Sequence, residues 1–364
     1  MAITAVLLSL LLAEIGLRLS AKSSLSYYVW QPNLRHTFTP DSTIIKGISG
    51  PQQFTINRDG MRGNLFSANT RNYLCIGGST TECLYLDDQK TWWAILQQIL
   101  RQQGKAITIA SIGKSGTTSR ENYMHLKCFA GQLPQLNGVI IMVGLNDLYR
   151  RLNRDTLFEN NFRFTEAIED SMRQTIFLNS ESAHGWRSLA LVKLFKNALQ
   201  QNKGVKWQLQ DDNGQYIKAL RQQRCRAPLI DSLPPMQNAL DEFERNLGSM
   251  IAFSARQNIK LIFVTQSALY HPAMDSFELN LLWMGGKNDF QNNPSATYYS
   301  PSALAQGIAL YNNKLKEVCK RRSIQLIDLD ADLPRSTAVF YDDCHFNERG
   351  AQKVAEIIAA HFPE

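Results

Sequence analysis

Five short apolar runs recur along the chain, each followed by a turn and then by a helical pattern. Asn72–Ile76, Ala106–Ala110, Gly138–Val143, Lys260–Thr265 and Ile324–Leu329 read as strands. The third is continuously apolar and β-branched, as expected for a strand covered on both faces. Between and after them lie stretches with helical spacing. Thr91 precedes Trp92, Ile95, Leu96, Ile99 and Leu100, the i, i+3, i+4, i+7, i+8 stripe of a helix packed on one side. Ala303–Arg321 reads as another helix, and the chain closes with a helix from Asn347, apolar at Val354, Ile357, Ile358 and Phe362. Strands alternating with helices predict an α/β fold, a five-stranded parallel sheet with helices on both faces. In such sheets the ligand crevice lies beyond the carboxyl ends of the strands.

Three regions depart from this rhythm. Residues 1–20 begin with an uncharged apolar run from Ala2 to Ala13, followed by Glu14 and Arg18. A spanning helix needs about 20 residues, so the run suffices only if it continues through Glu14 to Leu19. Three readings are open: an uncleaved membrane anchor, a signal segment with an atypical start, or a helix of the folded protein. Arg18 and Lys22 come after the run, which by the positive-inside rule argues against export of the C-terminal part. Residues 21–70 are rich in turn formers, including Asn57-Arg58-Asp59-Gly60-Met61-Arg62-Gly63, and read as an extension wrapping a main domain at 71–364. Residues from about 150 to 233 separate the third and fourth strands and read as an inserted, partly helical lobe.

Composition refines this picture in one place. The 364 residues carry a formal charge of +7, and Arg150–Arg226 contain 14 Lys/Arg against 8 Asp/Glu, nearly the whole excess. With Trp186, Trp207 and Tyr216, the lobe has the chemistry to hold an acidic or sugar polymer; a lid or partner surface is the plainer reading. No zinc-finger spacing, aromatic RNA-binding signature or helix-turn-helix accompanies the charge, so nucleic acid is not expected as a partner. The six cysteines include no C-x-x-C pair, so a structural zinc site is not expected. Cys75 and Cys319 read as core residues, and no disulfide pairing follows from sequence.

Candidate chemistry stands at the strand ends. Gly77-Gly78-Ser79-Thr80-Thr81 follows the first strand, and two glycines let the backbone turn sharply and expose Ser79. Thr81 stands where the α/β-hydrolase elbow G-x-S-x-G has its last glycine. Ser111-Ile112-Gly113-Lys114-Ser115-Gly116 follows the second strand. There a glycine either aims its N–H into the crevice or simply supplies a positive φ. Gly144-Leu145-Asn146-Asp147 follows the third. Asn146 has an amide that can donate to a developing oxyanion, and Asp147 is expected to cap the next helix. Asp342-Asp343-Cys344-His345 precedes the last helix, and an acid three residues before a histidine can orient its imidazole. The five other histidines, His36, His125, His184, His271 and His361, carry no such context.

Taken in order, these four blocks resemble those of the SGNH hydrolases, also called GDSL-type esterases, which supply a serine, a glycine, an asparagine and a histidine. Ser79, Gly116, Asn146 and His345 match them, and Asp342 matches the acid of the Asp-x-x-His block. The resemblance covers roughly residues 70–364 without the lobe. Gly78 replaces the aspartate of Gly-Asp-Ser, and Ser111 stands where the second block often begins with asparagine. The resemblance implies a flavodoxin-like three-layer α/β/α sandwich. It also implies Ser79, His345 and Asp342 as a catalytic triad, and the N–H groups of Ser79 and Gly116 with the Asn146 amide as an oxyanion hole. No metal or organic cofactor is implied. The apolar N-terminus and the Arg58–Gly63 turn look like an anchored bacterial branch whose members are often exported and linked to cell-surface polymers. That implies a catalytic domain on the periplasmic or extracellular side of a membrane, or a secreted one. It also implies an ester substrate, such as an acylated carbohydrate or lipid. An O-acyltransferase with the same site, or a non-catalytic assembly protein, are the alternatives. Ester hydrolysis is expected to rise with pH as His345 loses its proton, near about 6.5 or above.

Overall fold

The computed structural model describes residues 9–10, 12–16, 25–154, 158, 161–178 and 213–363. Ten strands occur among them: β1 (Arg35–Phe38), β2 (Gln52–Thr55), β3 (Arg62–Gly63), β4 (Arg71–Gly77), β5 (Ile107–Ser111), β6 (Leu136–Met142), β7 (Leu229–Ile230), β8 (Lys260–Val264), β9 (Tyr298–Tyr299) and β10 (Gln325–Ile327). The five strands expected from the apolar runs are β4, β5, β6, β8 and β10. They form the parallel part of one sheet in the order β10-β8-β6-β4-β5. Residues Leu74–Ile76 and Val139–Met142 are all but solvent-free, because helices cover both faces. Helices Trp92–Gln102 and Glu348–Ala360 pack together, as do Gln237–Arg256 and Pro301–Arg322. The architecture is the three-layer α/β/α sandwich.

One strand of this sheet was not foreseen. Arg62 and Gly63 pair antiparallel with Ser111 and Ala110, so the sheet has a sixth, antiparallel edge. Two residues are too few for any alternation to show in sequence. The strand order reverses between β4 and β6, which are hydrogen-bonded neighbours running outward to opposite edges. At such a switch point adjacent loops diverge and leave a crevice. Ser79 follows β4 and Asn146 follows β6, so both stand there.

The segment from Leu25 to Phe66 shares the core of the α/β part. Trp30, Phe38 and Phe54 are buried in edge contacts with one another or with Tyr85. The Asn57 side chain accepts from the N–H groups of Asp59 (2.9 Å) and Met61 (3.1 Å), which shapes the turn into β3. Arg62 is then carried inward. Its guanidinium pairs with Asp88 at 2.7 Å and donates to the carbonyls of Glu82, Cys83, Leu86 and Gln53. Those carbonyls belong partly to the chain just after Ser79.

The basic stretch from 150 to 233 is only partly a surface feature. Arg151 is buried and donates to the carbonyl of Pro235. Helix Gln215–Arg224 buries two arginines. Arg221 donates to the carbonyls of Leu281, Ile44 and Tyr341, and Arg224 to those of Met284 and Tyr299, all between 2.7 and 2.9 Å. These charges serve as backbone clamps and are not offered to a polymer. Tyr216 is exposed, whereas Trp186 and Trp207 lie outside the described residues. Most of the N-terminal apolar run also lies outside them. Among the described residues no helix is long and apolar enough to cross a membrane.

Candidate active site

Four strand ends build the site. After β4, Gly77 and Gly78 lead into a single helical turn, Ser79–Glu82, which ends at Cys83 with φ +53°. Space favours glycine at both positions, against backbone at Gly77 and against the end of one side chain at Gly78. A Cβ on Gly77 would meet the Thr81 side chain and the Met142 carbonyl at 2.8 Å, and one on Gly78 would collide with Asn146 Nδ2. The absence of aspartate at Gly78 thus has a physical reason here, since the Asn146 amide occupies its place. Ser79 is partly exposed while Thr80, Thr81 and Glu82 behind it are buried. As the first residue of its turn, Ser79 has no intrahelical acceptor for its N–H.

The second block lies against the first. A Cβ on Gly113 would stand 2.5 Å from the Glu82 nitrogen, so the two loops touch backbone to backbone. Gly116 is exposed at φ +77° with open space where a Cβ would go, so its requirement is conformational. The buried Glu82 carboxylate holds the loop. It accepts from the Ser115 N–H at 2.7 Å and from the Ser115 hydroxyl. Burial raises the Glu82 pKa against these bonds and against the nearby charges of Lys114 and Arg62.

Asn146 enters from the third block. Gly144 takes φ +123° at the start of helix Leu145–Leu152, and Asn146 donates to the Thr117 carbonyl at 2.8 Å. An amide has two N–H donors, so one is left for a ligand. Asn146 and the Thr117 carbonyl, next in the chain to Gly116, are thereby brought to Gly78, beside Ser79. Asp147 does not cap its helix. It accepts from the Ser119 N–H and hydroxyl, tying the helix to the neighbouring loop. Burial, the largest influence, raises its pKa to about 7.

The fourth block is tightly bonded. His345 Nδ1 lies 2.9 and 2.8 Å from the two oxygens of Asp342, which is fully buried. Asp342 also accepts from the backbone N–H groups of Cys344 (3.0 Å) and His345 (2.9 Å). A residue that sequence reasoning missed completes the set, for the indole Nε1–H of Trp283 donates to Asp342 Oδ2 at 2.9 Å. Trp283 and Tyr341 lie nearly parallel to the imidazole, at 11° and 14°. Burial alone would raise the Asp342 pKa, but the His345 charge and these hydrogen bonds hold it below the usual carboxylate value. Burial alone would lower His345, but the Asp342 charge and hydrogen bond carry it well above 6.5.

Asp343 faces away from the imidazole. It accepts from the Tyr270 hydroxyl at 2.6 Å and from the backbone N–H groups of Trp283 and Met284, and burial raises its pKa. Tyr270 in turn meets the Tyr149 hydroxyl at 2.6 Å, linking this block to the Asn146 helix. Among the described residues no hydrogen bond joins the Ser79 hydroxyl to His345. In unliganded sites such bonds are often long and tighten only with substrate.

Asp342, Cys344 and His345 are the group of metal-capable donors found among the described residues. Their chemistry favours proton transfer over ligation. Asp342 is saturated with donors, and burial pushes the Cys344 thiol up to about 11, away from the thiolate that binds metals. All six cysteines are free thiols.

The model of the GDSL-like Lipase/Acylhydrolase family matches residues 75–353. Among solved structures, the chain is similar to LAE5, an α/β hydrolase enzyme from the metagenome of Lake Arreo. The two share 14% identity and a TM-score of 0.43, over 81% of this chain and 96% of the other. The acetyl xylan esterase AlAXEase is also 14% identical, with a TM-score of 0.42 over 80% of this chain and 100% of its own. The lipase/acylhydrolase from Enterococcus faecalis is 12% identical, with a TM-score of 0.42 over 80% and 94%. No curated protein matches by sequence.

Proposed function

The chain belongs to the GDSL-like lipase/acylhydrolase family of ester-cleaving hydrolases, and on that premise we propose that it works as a serine esterase through Ser79, His345 and Asp342. The observation that carries this reading is the buried Asp342 carboxylate bonded to His345 Nδ1 at 2.8 Å, which leaves Nε2 as the imidazole's working nitrogen. Ser79 Oγ attacks the ester carbonyl while Nε2 takes its proton. Asp342 fixes the tautomer and stabilises the imidazolium that forms. The N–H groups of Ser79 and Gly116 and the second N–H of Asn146 receive the oxyanion. His345 then protonates the departing alcohol, and water releases the acyl group from Ser79. A sugar hydroxyl in place of water would make the same site an O-acyltransferase. Acylated carbohydrates or lipids are the substrates proposed, with the N-terminal apolar run attaching the enzyme to a membrane and the catalytic part outside it.

The deciding experiment is turnover of p-nitrophenyl acetate by the full chain beside Ser79→Ala. The wild type should cleave it and the folded variant should be silent. Equal rates from the two proteins would remove Ser79 from the mechanism. Products formed with and without an added acceptor sugar separate hydrolysis from transfer.

A further inference from the structure

Helix Leu145–Leu152 places two side chains on either side of the direction taken by Asn146. At about 100° per residue, Tyr149 lies about 60° to one side and Arg150 about 40° to the other, one turn along. Tyr149 reaches Tyr270 and through it the Asp343 side of the His345 loop. Arg150 therefore stands on the opposite flank, where Asn146 meets Thr117 and the chain continues to Arg120 and Glu121.

No carboxylate among the described residues is bonded to Arg150. Among the described residues it has neither a hydrogen bond nor an ion pair, and its Nε is buried without a partner. The charges that act on it are those of Arg120, Glu121, Arg154 and Glu242. Both carboxylates are already engaged. Glu242 accepts the fork of Arg120 in two bonds of 2.5 Å. Glu121 accepts from the Thr118 N–H at 2.8 Å and its hydroxyl at 2.5 Å in a capping box. Burial and the Arg120 charge lower the pKa of Arg150, yet a guanidinium keeps its proton. The guanidinium is half-buried: Nε is closed off and unpaired, while the terminal nitrogens reach solvent with no protein partner among the described residues and stand open to an anionic group.

We propose that Arg150 is the anchor of a subsite, beside the oxyanion position, for an anionic oxo group carried by the substrate. This deepens the Ser79 esterase reading and rests on it, by naming the substrate class: an ester whose alcohol or acyl part bears a carboxylate or a phosphate. The planar fork of arginine bonds either group bidentately. The ester carbonyl at Ser79 and the charged group at Arg150 would thus be read along one flank of the crevice.

The test compares three aryl acetates on the full-length protein: methyl 4-acetoxybenzoate, 4-acetoxybenzoate and 4-acetoxyphenyl phosphate. For each anionic ester, kcat/KM is divided by that of the neutral one, in wild type and in Arg150→Gln. Loss of a charged hydrogen-bonding partner should lower that ratio by about 10- to 100-fold for at least one anion. The anion with the larger fall identifies carboxylate or phosphate. Added salt should shrink the wild-type preference. Ratios that stay within about twofold of wild type for both anions, below any such effect, overturn the subsite. The same probes are titrated by calorimetry against Ser79→Ala with and without Arg150→Gln. If wild type cleaves none of the three esters, tighter anion binding that depends on Arg150 keeps the subsite and rejects the esterase reading. Binding that ignores Arg150 rejects the subsite as well.

Discussion

On the His345 side of the crevice, side chains reach out to hold backbone. Arg221 and Arg224 clasp the carbonyls of Leu281, Tyr341, Met284 and Tyr299, and Trp283, thus fixed, bonds to Asp342. On the Ser79 side, neighbours approach the backbone closely because side chains are missing. Gly77, Gly78 and Gly113 admit the Met142 carbonyl, the Asn146 amide and the Glu82 nitrogen where a Cβ would stand. One side is fixed by added groups and the other by omitted ones. The first tunes a proton affinity, while the second sets where an oxyanion finds donors. Substitutions on the two sides should therefore fail in different ways.

The sharpest break is Asp342→Asn. It keeps the shape but favours the wrong imidazole tautomer, and kcat should fall by about 10⁴. A fall of under tenfold in stopped-flow turnover would show that the carboxylate is dispensable. Next in size is Asn146→Ala on the other side. Removing one oxyanion donor should cost about 10²–10³ in kcat with little change in KM. A rise in KM at constant kcat would instead make Asn146 a substrate-binding residue. The smallest effect, and the most discriminating, is Trp283→Phe. The ring stays but the N–H to Asp342 is lost, for an expected fall of about tenfold.

The pH profile carries the comparison further. His345 must be neutral to accept a proton, and its pKa lies well above 6.5. The rising limb of kcat/KM should therefore have its midpoint above 6.5. Trp283→Phe leaves Asp342 less stabilised and more basic, so it grips the imidazolium harder and the limb should move to higher pH. Asn146→Ala should leave the limb in place. If both variants shift it equally, the two sides are not separable as described.

Much of this was legible from the chain. Apolar β-branched runs between helical stripes reveal five strands because burial on both faces leaves no polar positions in them. Ser79, Gly116, Asn146 and His345 stand out because each lies in a short segment after a strand or before a helix, the places that border a crevice in such sheets. Trp283 left no local mark, since its partner Asp342 lies 59 residues away. The clamps were hidden by composition. Arginines counted as surface charge, whereas Arg151, Arg221 and Arg224 are buried against carbonyls that no pattern in the sequence marks. Asp147 read as a helix cap, but the demand of Ser119 across the loop proved stronger than a local one.

Arg62 bears on how the molecule could be dissected. It lies before residue 75, where the family match begins, yet it fastens four carbonyls, two of them in the chain that leaves Ser79. A fragment begun at residue 71 would retain every group of the proposed mechanism and still shed this fastening, together with the edge strand and the Trp30–Phe54 packing that seat it. The matched unit is thus smaller than the packed one. A transplant of this chemistry into another scaffold would have to carry the leading segment with it.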